Sequence, residues 1–276
     1  MVDRISRKIF KQGSRTYFTS SWFFPRSVRE DVFLLYGFVR SVDNYVDVVP
    51  QKAEAFYEFR NAFQESVRGA KVESFVIERF TELMRRKRFS DEWVEAFFRS
   101  MEMDLKKKTY STLEETLEYI HGSAEVIGFM MACIMDLDRE SFHQAGLLGR
   151  SMQYINFVRD IEEDMDLGRN YFPEKDMNAH GLRSLKKQDV LENQRGFREF
   201  IRVQLQRYGG WQREAEQGFR FIPGRCLIPI KTASDMYKWT AKKIEKDPLI
   251  VYKQKVKPSK ARILSAAVSN LAAIRV

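Results

Sequence analysis

The chain of 276 residues has little of what marks disulfide-stabilised, metal-finger or β-rich proteins. It contains two cysteines and three histidines, and Cys133 and Cys226 stand in no metal-binding or redox spacing. We therefore expect no disulfide framework and two buried thiols in a reducing compartment. Fourteen glycines and seven prolines are few for this length, which disfavours many short strands and favours an all-α fold.

Long hydrophobic runs are also missing. Nowhere do about 18 apolar residues follow one another, as a membrane span requires, and the basic residues 1–12 lack the apolar stretch of a signal peptide. We therefore predict a cytoplasmic protein, with peripheral membrane contact as a further option. A hydrophobic content of 44% suffices for a large core, and we predict a single domain over residues 1–276.

Basic residues outnumber acidic ones by 47 to 38, a net charge of +9. Such an excess suits nucleic acid, an anionic membrane surface or a phosphorylated substrate. The runs Arg85–Arg88 and Lys106–Lys108 are more typical of solvated faces or of a patch that rests on anionic lipid than of a nucleic-acid site. No nucleic-acid partner is expected.

Two predicted helices carry a stripe of polar side chains that ends in a pair of aspartates. Ser27 and Glu30 have the spacing of a capping box, so the first of these helices is expected to start at Ser27 and to run to about Pro50. A second long helix is predicted over about residues 139–166. Spacings of three and four residues place each stripe on one helix face: Tyr36, Arg40, Asp43 and Asp47 on the first, and Gln153, Asn156, Asp160 and Asp164 on the second.

A polar stripe is usually the solvated side of a helix, but both stripes lie among apolar residues and both repeat the Asp-x-x-x-Asp pair. Carboxylates without nitrogen or sulfur ligands suit Mg²⁺, which binds one or two of them and completes its shell with water and substrate phosphate. Facing aspartates would otherwise repel each other, so metal ions or arginines must balance them. Arg40, Arg159 and Arg169 are candidates for that second role.

A third segment, Ser14-Arg15-Thr16-Tyr17-Phe18, combines hydroxyls and a guanidinium next to Gly13. Such side chains are able to close over a phosphate.

At these residues the sequence resembles the squalene and phytoene synthase family, the head-to-head prenyl diphosphate synthases, over nearly the whole chain. The matching segments are Ser14-Arg15-Thr16-Tyr17, Phe24-Pro25, the run from Tyr36 to Asp47, Met101 to Leu105 with Tyr119, the set Gln153, Asn156, Arg159, Asp160 and Asp164, the loop Gly168-Arg169-Asn170-Tyr171-Phe172-Pro173, and Tyr237.

Two positions depart from the family pattern. Asn44 replaces the usual second aspartate of an Asp-Asp pair, although the metal-facing Asp43 and Asp47 remain. Glu125 replaces a glycine beside the expected prenyl tunnel, where an unpaired charge is costly. Either Glu125 points away from the tunnel or the pocket differs. The three histidines, His121, His143 and His180, share no motif and are interpreted as structural or surface residues.

The resemblance implies an isoprenoid synthase fold with helices around a central apolar cavity and the two aspartate stripes facing each other at its mouth. It implies Mg²⁺, with Mn²⁺ as the alternative, held by Asp43, Asp47, Asp160 and Asp164. The implied catalytic residues are Tyr36, Arg40, Tyr119, Arg159 and Tyr237. The implied substrate-binding residues are Ser14, Arg15, Tyr17, Arg40, Gln153, Asn156, Arg159, Arg169 and Tyr171.

The implied reaction joins two prenyl diphosphates through a cyclopropylcarbinyl diphosphate. We favour two geranylgeranyl diphosphates giving phytoene. Squalene or dehydrosqualene synthesis from two farnesyl diphosphates is the alternative, and only the reductive squalene reaction needs NADPH. An inactive scaffold relative is less favoured because all four aspartates are present.

Overall fold

The computed structural model describes residues 9, 10, 13 and 15–273, and the side chains of residues 15–17 lie outside this description. Within these ranges the chain is helical, and its one β feature is an isolated bridge between Tyr110 and Pro173. The all-α prediction is confirmed. No helix in the described part is long and apolar enough to cross a membrane.

The first half of the described chain folds into short and medium helices joined by tight loops. They are α1 (Arg15–Ser21), α2 (Arg26–Val46), α3 (Ala53–Val67), α4 (Phe75–Lys87), α5 (Asp91–Lys106), α6 (Leu113–Ile120), a π-helix (His121–Glu125) and α7 (Val126–Ile134). Ser74 and Thr112 cap α4 and α6 by accepting hydrogen bonds from the backbone N–H groups of Ile77 and Glu115.

The second half contains the longest helices. They are a 3₁₀ turn (Arg139–Ser141), α8 (Phe142–Arg159), α9 (Ile161–Asp166), α10 (Glu174–Ala179), α11 (Lys187–Glu192), α12 (Gln194–Glu216), a 3₁₀ turn (Gln217–Phe221), α13 (Gly224–Lys246), a 3₁₀ turn (Pro248–Tyr252) and α14 (Lys260–Ala273).

The predicted start of the first aspartate helix is wrong by one residue, and its predicted end is too late. Helix α2 begins at Arg26 and ends at Val46, and Ser27 lies inside it. Pro25 occupies the N-cap position without a side-chain cap, because its ring fixes φ near the helical value and supplies no N–H that needs a partner. Asp47 is consequently the C-cap residue of α2.

The predicted second aspartate helix is divided. A 3₁₀ turn precedes α8, and the chain leaves helical geometry at Asp160, with φ −102° and ψ 17°, before α9 begins. The bond from Asp164 N–H to the Asp160 carbonyl, 2.9 Å, keeps the two helices nearly continuous. Asp160 and Asp164 therefore remain one turn apart.

Helix α8 lies at the centre of the molecule, packed against α7, the π-helix, α12 and α13. Two glycines permit the closest of these crossings. A Cβ on Gly128 would collide with the Ala145 carbonyl, and one on Gly149 would collide with the Ala124 carbonyl. The hydrophobic core extends along the chain from Phe10 to Val256, which agrees with a single domain, although that organisation stays a prediction.

Candidate active site

A cavity of about 980 Å³ opens between α2, α5, α8 and α13. Its lining includes every predicted site residue whose side chain the structure describes: Tyr36, Arg40, Asp43, Asp47, Tyr119, Gln153, Asn156, Arg159, Asp160, Asp164, Arg169, Tyr171 and Tyr237. Ser14 lies outside the described residues, as do the side chains of Arg15 and Tyr17. The polar stripes are thus brought together at one site, and their chemical roles stay predictions.

The C-terminal turns of α2 form one wall of the cavity mouth. Arg40 Nη1 lies 3.9 Å from Asp43 Oδ2 and 3.6 Å from Asp47 Oδ2. Both carboxylates are partly exposed, 27% for Asp43 and 41% for Asp47, so an ion or a ligand in the mouth is able to reach them. Arg40 is thus shared between the two carboxylates at distances too long for direct hydrogen bonds.

The break between α8 and α9 forms the opposite wall. Arg159 Nε donates to Asp160 Oδ1 at 2.9 Å, and Lys255 Nζ lies 3.6 Å from the same oxygen. Lys255 also pairs with Glu163. Asp160 therefore has two cationic partners here, whereas Asp164 lies one turn further on, among carboxylates.

The two walls repel each other electrostatically. Burial, and next the charge of Asp47, raise the pKa of Asp43 to about 8. Burial, and next the charge of Asp160, raise the pKa of Asp164 well above its usual value. Asp47 of the facing helix adds to the shift at Asp164. Ionised aspartates on both walls thus need a cation between them.

Arg169 ties the loop after α9 to the end of α2. Its guanidinium donates to Asp47 Oδ1 at 3.1 Å, to Tyr171 Oη at 3.3 Å and to the Val46 carbonyl. The side chain is 4% exposed. These contacts favour a role in which Arg169 holds the two aspartate walls together.

Asp104 of α5 belongs to the site and is absent from the predicted site residues. Its carboxylate is 3% exposed and accepts hydrogen bonds from Tyr119 Oη at 2.8 Å and Tyr171 Oη at 2.7 Å. Arg169 Nη1 lies 3.9 Å away. Burial raises the pKa of Asp104 to about 6 against the lowering effects of Arg169 and the two phenols. The sequence signal that pointed to Asp104 was its position within Met101–Leu105, a segment that matches the family pattern.

Lys255 and Lys257 were missed as well. Both line the cavity mouth from the irregular segment before α14. Burial, and next the charges of Lys255 and Arg159, lower the pKa of Lys257, which means that cations are gathered on the Asp160 side. Spacing rules for helices cannot detect residues in such a segment.

The described residues fit a divalent cation that is shared with a ligand. No three acidic, histidine or cysteine side chains in the described part converge enough to hold a metal ion alone. Paired aspartates on two walls supply only hard oxygen donors, however, and Mg²⁺ binds through one or two carboxylates together with water and phosphate oxygens. Burial and the neighbouring carboxylates raise the pKa values of Asp43 and Asp164, and a bound cation would offset both effects by stabilising the charged carboxylates.

Behind the mouth the cavity becomes mainly apolar. One face of α8 lines it from Gln144 to Asp160, a span of about 24 Å at the helical rise per residue. Leucine, methionine, isoleucine and small residues form most of the wall there: Leu35, Val39, Met101, Ile127, Met131, Ala145, Leu148, Gly149, Met152, Ile230 and Met236.

Glu125 points away from this interior. It is 7% exposed, does not line the cavity, and bonds to His121 Nδ1 at 3.0 Å and Arg150 Nε at 2.5 Å. Burial acts to raise the pKa of Glu125, but the bonds to His121 and Arg150 outweigh it and lower the pKa. The structure therefore agrees with the alternative in which Glu125 points away from the tunnel.

The two basic runs are largely engaged in ion pairs. Arg86 pairs with Asp31, Lys87 with Asp136, Lys106 with Glu102 and Lys107 with Glu115. Arg85 donates to backbone carbonyls at the end of α3.

Known proteins are similar to this chain over most of its length. The model of the squalene/phytoene synthase family matches residues 10–262. The chain belongs to this family. Its members are prenyltransferases of isoprenoid and carotenoid biosynthesis. Curated relatives include the 15-cis-phytoene synthase of Paracoccus sp. (strain N81106 / MBIC 01143), 26% identical over 93% of this chain and 86% of the relative. The 15-cis-phytoene synthase of Pantoea ananas is 25% identical over 92% and 87%.

Solved structures share the fold of this family member. The squalene synthase HpnC from Alicyclobacillus acidocaldarius superposes with a TM-score of 0.76 at 21% identity and covers 88% of this chain and 92% of that one. A dehydrosqualene synthase crystallised with a ligand gives a TM-score of 0.81 at 17% identity over 98% and 95%.

Proposed function

We propose that this prenyltransferase condenses two prenyl diphosphates head to head in a reaction that depends on Mg²⁺, or on Mn²⁺ as the alternative. The observation that carries the proposal is the pairing of two aspartate walls with raised carboxyl pKa values at the mouth of a deep apolar cavity. A molecule that fits both parts has an anionic head and a long hydrocarbon tail.

Asp43, Asp47, Asp160 and Asp164 are the residues that would hold the divalent cations. Bound there, the cations neutralise the diphosphate that leaves. Arg40 and Arg159 supply further positive charge at the mouth, Arg40 beside Asp47 on one wall and Arg159 beside Asp160 on the other. Gln153 and Asn156, on the α8 face that leads to Asp160, orient the diphosphate, together with Ser14, Arg15 and Tyr17 of the segment Ser14-Arg15-Thr16-Tyr17-Phe18.

The proposed chemistry has two stages. The C1–O bond of one prenyl diphosphate breaks, and the double bond of the second attacks the resulting allylic cation. Loss of a proton closes a cyclopropylcarbinyl diphosphate. Its own C1–O bond then breaks, the cation rearranges to a 1-1′ linked chain, and a second proton is lost.

The chain's tyrosines and apolar side chains protect these cations. Tyr36, Tyr119 and Tyr237 line the cavity and present aromatic faces that stabilise positive charge. The apolar wall excludes water that would convert a cation into an alcohol. The Asp104 carboxylate fixes the direction of the Tyr119 and Tyr171 hydroxyls.

Two geranylgeranyl diphosphates, giving phytoene, are the proposed substrates. The names of the curated relatives support this choice. The alternative is squalene or dehydrosqualene synthesis from farnesyl diphosphate, with NADPH consumed only in the squalene case, and the solved structures of similar fold favour it. We also propose peripheral membrane contact, because substrate and product are lipids.

Mass spectrometry of the products identifies the substrate. Purified protein is incubated with Mg²⁺ and either farnesyl or geranylgeranyl diphosphate, with and without NADPH. We expect a forty-carbon hydrocarbon with a central conjugated triene from geranylgeranyl diphosphate alone. A thirty-carbon product would replace the phytoene proposal by the squalene branch. If the wild type forms no more coupled product than an Asp160→Ala variant, the enzyme proposal is overturned and the scaffold alternative replaces it.

A further inference from the structure

Helix α14 exposes an apolar stripe to solvent. Leu264, Val268 and Leu271 are 48%, 59% and 44% exposed, and their spacing of four and three residues places them on one helix face. The buried face, with Ile263, Ala267 and Asn270, lies about 100° around the helix from this stripe, where α14 packs on α13 and α1. The stripe thus adds exposed apolar side chains to one edge of the outer surface, where a surface helix normally is polar.

The C-terminal segment that carries this stripe has charged residues of one sign. Residues 248–276 contain no aspartate or glutamate and six basic residues, which together account for most of the net charge of +9. Lys260 and Arg262, both exposed, stand in the first turn of α14. An apolar stripe flanked by lysine and arginine is the pattern of helices that lie in the interface of an anionic membrane.

An aromatic side chain stands next to this charge. Trp239 of α13 is half-buried, with the Arg262 guanidinium carbon 5.1 Å and Lys243 Nζ 5.8 Å from its ring centroid. Tryptophan with neighbouring cations is typical of side chains at the level of lipid headgroups.

The stripe is also close to the cavity. Lys255, Lys257 and Pro258 line the cavity, and α14 begins two residues after Pro258. A surface that contacts the N-terminal end of α14 therefore lies beside the cavity rim.

We propose that the α14 stripe of Leu264, Val268 and Leu271, with Lys260 on the same side of the helix and Arg262 on its other exposed flank, docks on the surface of an anionic lipid bilayer. The helix lies parallel to the surface, with the stripe among the upper acyl chains and the two cations at the headgroups. The purpose of this docking rests on the proposed function. A prenyl diphosphate held in the bilayer would enter the cavity beside the membrane.

Vesicle co-sedimentation of the full chain tests the docking. The vesicles consist of phosphatidylcholine alone or with about one-third phosphatidylglycerol. The stripe variant is Leu264→Gln, Val268→Gln and Leu271→Gln together. Its matched control changes three exposed apolar side chains elsewhere, Val49→Gln, Phe75→Gln and Leu191→Gln. Circular dichroism melts and light scattering establish that each variant is folded and report its oligomeric state.

We expect wild type and control to bind the anionic vesicles and the stripe variant to bind at least about tenfold more weakly. Lys260→Gln with Arg262→Gln should weaken binding to the anionic vesicles by about fivefold for each charge removed. Addition of about 0.5 M NaCl should also weaken the binding of the wild type to these vesicles. Equal loss in stripe and control variants, or unchanged binding of the stripe variant, would overturn the proposal. A wild-type dimer that the stripe variant disrupts would assign the face to a second copy of the chain.

The outcome is separable from that of the proposed function. With substrate presented in detergent micelles, the stripe variant should form coupled product at the wild-type rate. If no variant forms product while vesicle binding behaves as expected, the proposed reaction fails and the docking stands.

Discussion

At the scale of single residues, the four aspartates have unequal surroundings. Asp160 has Arg159 and Lys255 as partners, and Asp47 has Arg169 and Arg40. Asp43 and Asp164 carry the raised pKa values. Burial is the largest cause of both shifts, and a divalent cation bound at these two carboxylates would offset it by stabilising their charged forms.

Asp164→Asn should reduce kcat at least about a hundredfold, since it removes one of the two carboxylates that would hold the cation on this wall. The matched control is Asp166→Asn, on the same short helix α9 but exposed and outside the cavity. Steady-state product assays at saturating Mg²⁺ measure both. Equal activity of the two variants would contradict the assignment of Asp164.

The effect of pH on stability follows from Asp43. Its folded pKa of about 8 lies above the ordinary 3.8, so the folded state binds the proton more tightly than the unfolded state. The contribution is fully present below about pH 4 and is lost as pH rises through about 8. The metal-free protein should thus melt at lower temperature at about pH 9 than at about pH 6.

Mg²⁺ should reverse this trend, because the cation binds the deprotonated carboxyls. Differential scanning fluorimetry should show a larger Mg²⁺-induced rise in Tm at about pH 9 than at about pH 6, and Asp43→Asn should reduce the difference. A rise that is independent of pH in wild type would show that Asp43 does not bind the cation.

Asp104→Asn tests the carboxylate that holds two phenols. Asparagine keeps the shape and one acceptor, so one hydroxyl must turn to accept from the amide. We expect kcat to fall about tenfold with little change in Tm, whereas Asp104→Ala, which leaves both buried hydroxyls without this acceptor, should also lower stability by about 1–3 kcal/mol. Unchanged kcat in the asparagine variant would limit Asp104 to a packing role.

The sequence allowed the aspartate stripes to be predicted because helical spacing alone places those residues on one face. Helical spacing could not predict that Asp104, Lys255 and Lys257 belong to the site. Asp104 reaches Tyr171 through contacts between residues 67 positions apart, and the two lysines lie in a segment without periodicity. Side chains joined only by tertiary packing leave no local pattern.

At the scale of helices, regular spacing of apolar residues does not reveal local irregularities. The helical stretch formed by α6, the π-helix and α7, from Leu113 to Ile134, contains a π turn at His121–Glu125. In that turn Gly122 approaches the Ala96 carbonyl so closely that no Cβ fits. Contact with α5, which a single-helix pattern does not encode, accompanies the irregularity.

Two glycines provide a paired test of helix packing. Gly149 of α8 faces the Ala124 carbonyl, whereas Gly210 of α12 has open space around its Cα. Gly149→Ala should lower the free energy of unfolding by about 1–3 kcal/mol through overpacking. Gly210→Ala should raise it by about 0.5–1 kcal/mol because alanine favours the helix. Urea denaturation measures both, and equal effects would contradict the close crossing at α8.

At the scale of the whole molecule, charge and apolar surface are arranged around one cavity. The aspartates gather at its mouth, methionine and aliphatic side chains line its depth, and the excess of basic residues lies near the C-terminus. The fold class was predictable because few glycines and prolines leave long helices. The depth and outline of the cavity were not, since they depend on how closely α7, α8 and the π-helix cross.

The central claim is that the two aspartate walls hold divalent cations together with a prenyl diphosphate. Crystals grown with Mn²⁺ and an unreactive thio-analogue of geranylgeranyl diphosphate test it directly by anomalous scattering. We expect anomalous peaks between Asp43 and Asp47 on one wall and Asp160 and Asp164 on the other, with the hydrocarbon along α8. An analogue bound in the cavity without an anomalous peak between these walls would contradict the account.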